Sequence, residues 1–422
     1  MMTALMEIAE SDLRPSTGNE TKRLTRDLRR SQRATTIRAL LLIAPLLVFL
    51  LLIFIAPIAM FLSRSVADTD VARALPSTIL ALGSWRVGQP VGDAAYAALV
   101  SDLRKLKSPP EVADAATRLN YALPGMRALL MSTRSLVQTS ASDPRAALTG
   151  ISPKWNAPAT WAAIQQAGGP LTDFYFLASL DLKRGVDGSI ERAPATESAF
   201  RPAIERTFEI ALGVTALTIL FGFPFAYLIS TSTERVASIL MFVVLLPFWT
   251  AIMVRVLSWL VLLGREGIIN HALASVDLIH GPLALLYSRF GVYVALVHIF
   301  VPFMVLPLYS VMKTVPESQL RAAASLGARP GTAFRRVYLP QVAPGLAAGA
   351  LLVFIQCLGV FVVPAILGGP NDQGLPMLIA FYVNKTLNWG LAASLSIVLL
   401  VFVYLLYWLF IKLTGSTSPS VG

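Results

Sequence analysis

The chain has 422 residues, of which 55% are hydrophobic and only 14% are charged. So little charge is typical of a protein that crosses a membrane several times, and it excludes an ordinary soluble domain. The formal net charge of +11 does not indicate nucleic acid, because the basic residues lie beside apolar runs and form no recognition motif.

Cysteine, histidine and glycine usage excludes several kinds of site. Cys357 is the one cysteine, so no intrachain disulfide is expected. Three histidines without ligand spacing give no structural zinc or other metal site. The dipeptide Gly-Lys never occurs, so the ATP-binding loop signature is absent. No catalytic residues and no cofactor bound by this chain are therefore predicted, and the protein is not expected to be an enzyme.

Six apolar segments reach the roughly 20 residues that a helix needs to cross a bilayer. They predict an all-α integral membrane protein with six transmembrane helices, at 39–63, 207–230, 237–263, 291–312, 345–367 and 392–413. Prolines fall within the first five spans, and each is expected to bend its helix because it removes a backbone hydrogen bond. The sixth span is free of proline and uniformly apolar.

Charge predicts the orientation of these spans. The polar segment 1–38 places a cluster of basic residues before the first span, which indicates a cytoplasmic N-terminus at a bacterial inner membrane. Six spans then place the C-terminal tail, 414–422, in the cytoplasm as well. The segment 313–344 meets the same rule, because it contains Lys313, Arg321, Arg329, Arg335 and Arg336.

A long segment, 64–206, separates the first two spans and is predicted to be an extracytoplasmic domain. Apolar residues recur there at helical spacing, so the domain is expected to be mostly helical. Examples are Tyr96, Leu99, Leu103 and Leu106. Two interpretations stay open: a solvated cap without chemistry, or a surface that helps to receive a substrate-delivery protein.

The cytoplasmic stretch "TVPESQLRAAASLGA" is predicted to form a short helix with Thr314 as its cap, Pro316 in its first turn and Gly327 at its end. Its small-residue face is expected at Leu320, Ala323, Ala324 and Gly327. A second helical turn is expected to restart at Pro330, and Leu339–Pro340 is expected to turn the chain towards the fifth span. Two interpretations stay open, docking of another protein and an amphipathic loop lying on membrane lipid.

The spacing A-A-x3-G-x9-[IV]-x-L-P within this loop resembles the coupling motif of permease subunits in binding-protein-dependent ABC importers. It is met by Ala322, Ala323, Gly327, Val337, Leu339 and Pro340. Stretches such as "LPFWTAIMVRVLSWLVLLGREGIINHAL" and "FGVYVALVHIFVPFMVLPLYSVM" resemble the spermidine/putrescine-type members. The resemblance covers the first span and residues from about 207 onward, and it does not cover 64–206.

The resemblance implies a permease core at 207–413, with a coupling loop at 314–344 that docks on an ATPase. It also implies the partners: a second permease subunit, two ATP-binding subunits that use ATP, and an extracytoplasmic solute-binding protein that delivers a polyamine or other amine-bearing solute. The predicted coupling residues are Glu317, Leu320, Arg321, Ala322, Ala323, Ala324, Gly327, Leu339 and Pro340.

One residue departs from the family pattern, which has glutamate where this chain has Arg321. A compensating acid on the ATPase is one explanation. Pairing with Glu317, one turn earlier on the same helix, is the other, and an exposed pair contributes only about 0.3–0.5 kcal/mol. The small-residue face is therefore expected to dominate docking.

Polar residues within and beside the spans are the candidates for a substrate pathway or gate. They are Arg255, Gln356, Asp372, Asn388 and Trp389. Arg255 is equally well explained by pairing within the helix bundle, and Trp389 by a place in the interfacial aromatic belt. His298 is expected to be a packing residue.

Two other functions stay open at this point. An ion-coupled secondary transporter would need several acids within the spans, whose apolar cores contain essentially none. A membrane sensor that uses 64–206 would need a cytoplasmic output domain, and about ten residues follow Lys412. Both are therefore disfavoured against the importer permease.

Overall fold

The computed structural model of the chain describes the residues 41–106, 109–136, 143–194 and 198–414. The predicted cytoplasmic segment 1–38 and all but the first residue of the tail 414–422 lie outside the described residues. The chain divides into two compact units, Met1–Phe61 and Leu62–Gly422.

Helix α1 spans Leu41–Ser63. Its residues up to Phe61 are the described part of the first unit, and its last two residues belong to the second unit. It contains a π-helical turn at Leu51–Ile55, just ahead of Pro57. Proline has no N–H to donate, and a π turn is one way in which a helix accommodates the missing bond without breaking. The helix is therefore continuous through Pro57.

The described residues between α1 and Phe200 form eight short helices and one hairpin. This part is called the outer domain because it is predicted to lie outside the cytoplasm. The helices are α2 Asp70–Ala74, α3 Pro76–Leu82, α4 Asp93–Lys105, α5 Pro109–Ala122, α6 Met126–Leu136, α7 Pro144–Ile151, α8 Pro158–Gln166 and α9 Phe174–Ser179. A 3₁₀ turn, Pro153–Asn156, joins α7 to α8. Proline occupies the first turn of α3, α7 and α8, where its missing N–H costs nothing.

Two tryptophans organise the hydrophobic core of this outer domain. The side chains of Trp155 and Trp161 are fully buried, with ring centroids 5.4 Å apart. The carbonyl oxygen of Trp155 accepts hydrogen bonds from Trp161 Nε1 at 2.7 Å and from the Tyr96 hydroxyl at 3.1 Å. Trp155 Nε1 donates to Thr133 Oγ1 at 3.0 Å. Because each buried polar atom of the tryptophan pair has a partner, these large side chains fill the core without a desolvation penalty.

The fold class is confirmed as mostly helical, and the described residues also contain one short hairpin. Strands β1, Leu182–Arg184, and β2, Ile190–Arg192, form an antiparallel hairpin in which Lys183 lies opposite Glu191. The intervening residues include Gly188 with a φ of +84°, a conformation that suits glycine. A hairpin this short has no periodic pattern from which it could be predicted.

The rest of the chain forms the membrane part. Its helices are α10 Phe200–Thr231, α11 Glu234–Leu245, α12 Ile252–Leu262, α13 Ile268–Ser275, α14 Arg289–Met312, α15 Glu317–Ser325, α16 Pro330–Gly359, α17 Val362–Leu367, α18 Leu375–Asn384 and α19 Trp389–Thr414. Five helices of the described chain, α1, α10, α14, α16 and α19, are long and apolar enough to cross a membrane.

The predicted third span is a bent pair rather than one helix. Glu234–Trp249 and Ile252–Leu262 meet at an angle of 99°. Pro247 lies in a 3₁₀ turn just before the bend. Counted as one span, the pair raises the number of spans to six; counted separately, it leaves five.

Several other prolines of the spans lie within continuous helices. Helices α10 and α14 run uninterrupted through Pro224 and through Pro302 and Pro307. The predicted fifth span begins earlier, at Pro330, and ends at Gly359, before Pro364 is reached. Neighbouring helices can satisfy the backbone groups that a proline frees within a transmembrane helix, so proline alone does not locate a break.

Helices α10, α14 and α16 pack closely because glycines face Met304. A Cβ atom added at Gly222 would lie 2.8 Å from Met304 Cγ, and one added at Gly349 would lie 2.9 Å from its sulfur and 3.1 Å from its backbone oxygen. Gly345 has the same relation to Val311, whose Cγ2 would lie 2.8 Å away. Small residues of this kind allow helices to approach within van der Waals contact in a bilayer.

The outer domain is joined to the membrane helices at two points. Asp181 accepts hydrogen bonds from the backbone N–H groups of Ala199, Phe200 and Arg201, and so caps the N-terminus of α10. A Cβ atom at Gly390 on α19 would lie 2.5 Å from the Tyr175 ring. The outer domain and the membrane helices of this unit are therefore packed against each other.

The glycine contacts of α16 predict unequal effects of the same substitution. Gly349→Val is expected to push α16 from α14 and to lower stability by about 1–3 kcal/mol, because the new side chain meets backbone atoms. Gly359→Val is the matched control on the same helix, since a Cβ there meets no atom within 4 Å. Thermal unfolding of the purified protein in detergent measures both; equal melting temperatures would contradict the packing account.

Candidate functional site

The predicted coupling helix is α15, and its first turn differs from the prediction. Pro316, not Thr314, occupies the N-cap position, and no side chain caps the helix. The Thr314 hydroxyl instead donates to the carbonyl of Val311 at 2.8 Å, at the end of α14. The assignment of Thr314 as the cap was therefore wrong, because a threonine that can bond back to the preceding helix does so.

The end of α15 is a Schellman motif built on Gly327. The N–H of Gly327 bonds to the carbonyl of Ala324 at 2.9 Å, and the N–H of Ala328 bonds to the carbonyl of Ala323 at 3.0 Å. Gly327 has a φ of +81°, which a glycine adopts without steric cost. The position of Gly327 at the helix end was thus correctly derived from the residue type.

The predicted face of α15 is divided between the inside and the outside of the chain. Leu320 and Ala323 are half-buried, and Leu320 packs against the cluster around Met312 and Val342. Ala324 and Gly327 of the same predicted face are exposed, together with Ala322 and Leu326. Leu326 is 89% exposed, the largest exposed fraction of any large apolar side chain in the described chain. Sequence reasoning missed Leu326, although an apolar residue directly before a helix-ending glycine was a usable signal.

The charges of α15 lie on its surface. Arg321 Nη1 and Glu317 Oε2 are 4.0 Å apart, one turn from each other, with both side chains more than three-quarters exposed. A pair this long and this exposed contributes little to stability. Arg321 is therefore available to a partner at small energetic cost.

Beyond Gly327 the chain does not form a second separate helix. Helix α16 starts at Pro330, passes through a π-helical turn at Phe334–Tyr338 and continues through Leu339 and Pro340 into the membrane. The expected turn of the chain at Pro340 was wrong. Pro340 stands in the first turn after the π segment, where a helix tolerates it.

Aromatic side chains attach this cytoplasmic end of α16 to α10. Phe334 and Tyr338 are stacked, with centroids 5.4 Å apart, and Tyr227 of α10 contacts both, at 6.3 Å and 5.7 Å. Tyr338 is buried, as is Val342 one turn later. A displacement of the coupling segment therefore acts directly on α10 and α16.

Arg255 lies on α12 after the bend of the third span. Its Nε atom is buried without a hydrogen-bond partner, and no ion pair of Arg255 is found in the part of the chain that the structure describes. One turn along, Trp259 Nε1 donates to His298 Nδ1 at 3.2 Å. His298 is thus hydrogen-bonded in a packing contact, whereas the partner of Arg255 is not among the described residues.

Gln356 is exposed on α16, on the same side as Leu352 and Gly359. The opposite side of the helix is buried at Val353 and Cys357. An exposed amide inside an apolar span needs a hydrogen-bonding partner from water or from another helix. Its surroundings therefore favour either a water-filled pathway or a subunit contact.

Asp372 is part of a buried ion pair in the outer loop. Its Oδ1 accepts from Arg289 Nε at 3.1 Å, and its Oδ2 accepts from the backbone N–H of Gly369 at 2.9 Å. Arg289 also donates through Nη1 to Glu209 Oε2 at 2.8 Å. The network joins the outer ends of α10 and α14 to the loop, so Asp372 has a structural role whether or not it also contributes to a gate.

Asn388 and Trp389 mark the start of the last span. Asn388 is buried, and its side-chain oxygen accepts from the N–H of Leu391 at 3.0 Å, which caps α19. Its Nδ2 atom is buried without a hydrogen bond. Trp389 is 47% exposed. Asn388 is therefore packed in the interior, whereas about half of the Trp389 side chain is accessible.

The predicted site residues fall into separate places. Those of α15 lie together on one short helix, with Leu339 and Pro340 in the following helix. Asp372 and Asn388 lie at the outer ends of the membrane helices, while Arg255 and Gln356 lie along the spans. Their described contacts do not bring the five pathway candidates together into one constellation.

Spermidine/putrescine permeases are among the known proteins that this chain resembles. It is 36% identical over 196 residues to the spermidine/putrescine transport system permease protein PotB of Haemophilus influenzae, covering 45% of this chain and 68% of the relative. It is 31% identical over 205 residues to PotB of Escherichia coli strain K12, covering 48% and 74%.

The chain also resembles the solved structure of a bacterial ABC transporter involved in the import of the acidic polysaccharide alginate. That similarity has a TM-score of 0.42 and 19% identity, and it covers 51% of this chain and 80% of the other. Residues 210–413 match the family described as binding-protein-dependent transport system inner membrane component. The chain therefore belongs to this family of multi-pass inner-membrane permeases, as its coupling motif indicated.

Proposed function

We propose that this chain is one permease subunit of an ATP-driven importer, and that α15 is the element on which an ATP-hydrolysing subunit docks. The observation that carries the proposal is the geometry of α15. It is a short, well-terminated helix whose outward side shows Leu326 and small residues, and it is tied through α14 and α16 to the membrane helices. An exposed apolar anchor surrounded by small side chains is typical of a docking surface.

The proposed assembly contains a second permease chain, two ATP-binding subunits and an extracytoplasmic binding protein that delivers the solute. Both termini of this chain face the cytoplasm in this arrangement, as its basic residues predict. ATP is hydrolysed by the partner subunits, and this chain converts their closure into movement of α10 and α16.

The proposed solute is a polyamine or another amine-bearing compound. Support comes from the relatives, which are named as spermidine/putrescine permeases. Gln356 is the proposed pathway residue that suits such a solute, since a neutral amide accepts hydrogen bonds from an ammonium group. Arg255 would repel a cation, so its proposed partner is an acidic or carbonyl group of the second permease chain.

The exposed leucine of α15 gives the test of the docking proposal. Co-expressed with its ATPase, the wild-type chain is expected to co-purify with that subunit, and Leu326→Ser is expected to reduce recovery several-fold, because an apolar anchor is lost. Leu278→Ser is the matched control, since Leu278 is also highly exposed, at 70%, and lies in the loop before α14. Undiminished recovery of the ATPase with Leu326→Ser would sink the proposal.

Arg321 provides a prediction about charge. Reversal to glutamate is expected to change the stability of the chain by less than about 0.5 kcal/mol, since the pair with Glu317 is exposed. If an acid on the ATPase meets Arg321, the Arg321→Glu variant is expected to bind that subunit more weakly than the wild type does. The difference is expected to be larger at low salt, where charges are less screened. Binding measured at two ionic strengths checks this: equal affinities of wild type and Arg321→Glu at both would contradict a charged contact.

Gln356 provides the prediction about the solute. In proteoliposomes containing the complete complex, uptake of labelled putrescine is expected to fall at least fivefold with Gln356→Leu, while recovery of the ATPase is unchanged. Leu352→Ala, one turn earlier on the same exposed side, is the control and is expected to retain uptake. Equal uptake by Gln356→Leu and wild type would exclude Gln356 from the pathway.

A further inference from the structure

The outer domain contains a cleft that lies outside the part of the chain matched by the permease family. Its volume is about 470 Å³, within the range of small-molecule sites. It lies between α5, α8, α9 and the hairpin β1–β2, all of which precede residue 210, where the family match begins. The likeness to permeases therefore assigns nothing to it.

Small and aromatic side chains form the apolar wall of the cleft. Alanines recur along it where larger residues would fill the space, at Ala122, Ala159, Ala162, Ala163 and Ala167. Phe174 adds an aromatic ring, and the Arg118 guanidinium carbon lies 3.8 Å from the centroid of that ring. This wall suits a hydrocarbon chain more than a heavily hydroxylated ligand.

Two of the cations in the cleft are already neutralised. Arg118 is buried, and its Nε donates to Asp68 Oδ2 at 2.5 Å. Arg184 donates from Nε and Nη2 to Asp173, with the shortest distance 2.5 Å, and from Nη1 to the carbonyl of Gly188. Both guanidinium groups are thus committed to carboxylates, although Arg118 Nη1, which is buried, keeps an unused N–H.

The remaining charges on the rim are predominantly negative. They are the carboxylates of Asp187 and Glu191 and the ammonium of Lys183, which lies opposite Glu191 in the hairpin. Three carboxylates and three cations line the cleft, and Asp68, behind the wall, pairs with one of these cations, Arg118. One negative charge is therefore left over, and the site is unsuited to an anion.

The two rim carboxylates converge on one point. A Cβ atom placed on Gly185 would lie 2.7 Å from Glu191 Oε1 and 2.8 Å from Asp187 Oδ1, with Ser189 Oγ at 2.9 Å. The Ser189 hydroxyl and N–H both donate to Asp187, which lowers the pKa of that carboxyl below its usual value. Asp187 is therefore ionised throughout the neutral range, and its oxygens are oriented by the turn.

We propose that this cleft binds a small organic amine, whose ammonium group is received by Asp187 and Glu191 and whose hydrocarbon part lies on the alanines and Phe174. The proposal does not depend on what the membrane helices transport. It gives the outer domain a ligand of its own, in contact with Phe174, whose neighbour Tyr175 packs on Gly390 of the last span.

The test uses the complete complex in lipid nanodiscs and calorimetric titration with putrescine. A site that binds putrescine is expected in the wild type, and 1,4-butanediol, which has the same carbon chain without charge, is expected not to occupy it. The double variant Asp187→Asn, Glu191→Gln is expected to weaken this binding at least tenfold. Glu205→Gln is the matched control, because Glu205 is equally exposed but lies on α10.

Binding in the membrane pathway is distinguished by Gln356→Leu, which is expected to leave the outer site unaltered. Ala163→Leu, which adds volume to the wall of the cleft, is expected to abolish the same binding event while circular dichroism stays unchanged. The proposal is overturned if putrescine does not bind, if the diol binds equally well, if the carboxylate variants bind as tightly as wild type, or if calcium but not the amine is retained. Absence of putrescine uptake by the wild-type complex, with outer binding intact, would instead count against the importer function.

Discussion

The contact of Met304 with Gly222 and Gly349 holds the membrane part of this chain together. A hydrocarbon solvent offers little hydrophobic gain when helices associate, so packing at short distance must supply the stability. Two glycines on two different helices allow one methionine of α14 to touch both backbones. Helix α14 precedes α15 in the chain, and α16 begins at Pro330, three residues after Gly327. This triple contact therefore also sets the geometry of α15, the proposed docking element.

Contacts with the neighbouring helices also explain why α15, the proposed coupling helix, is attached at both ends and still exposes an apolar side chain. Leu320 packs on the cluster around Met312 and Tyr338, and this fixes the orientation of α15. The Schellman motif then ends the helix at Gly327 and leaves Leu326 outside. An exposed leucine costs free energy in the isolated chain, and a docked partner that covers it recovers that cost.

How much of this was available from the sequence depends on the kind of signal. Apolar length and charge located the membrane helices, and Gly327 was identifiable because few residues other than glycine end a helix with a positive φ. Only half of the predicted face of α15 is exposed, because periodicity identifies neighbours on a helix but not the side that meets the rest of the protein. The turn expected at Pro340 was wrong for a related reason: whether a proline ends a helix depends on packing that a local pattern does not contain.

The long-range charge pairs could not be predicted from the sequence. Arg289 meets partners 80 and 83 residues away, Glu209 and Asp372, and no local pattern connects the three. Asp372 stood out as a polar residue beside a span, which is equally typical of a gate and of a structural ion pair. Only the fold shows that one arginine pairs with both acids.

Two kinds of contact hold the outer domain to the membrane helices. One is a carboxylate that accepts hydrogen bonds from backbone N–H groups, and the other is a glycine that leaves room for an aromatic ring. Asp181 accepts hydrogen bonds from N–H groups at the start of α10, and Gly390 accommodates Tyr175 at the start of α19. Arg118 lies over the ring of Phe174 and beside Tyr175, between the cleft and this junction. A ligand that orders Phe174 and Arg118 therefore acts on the residues that hold α19. Since the domain is packed onto two different spans, a change in its interior acts on the adjoining ends of both spans.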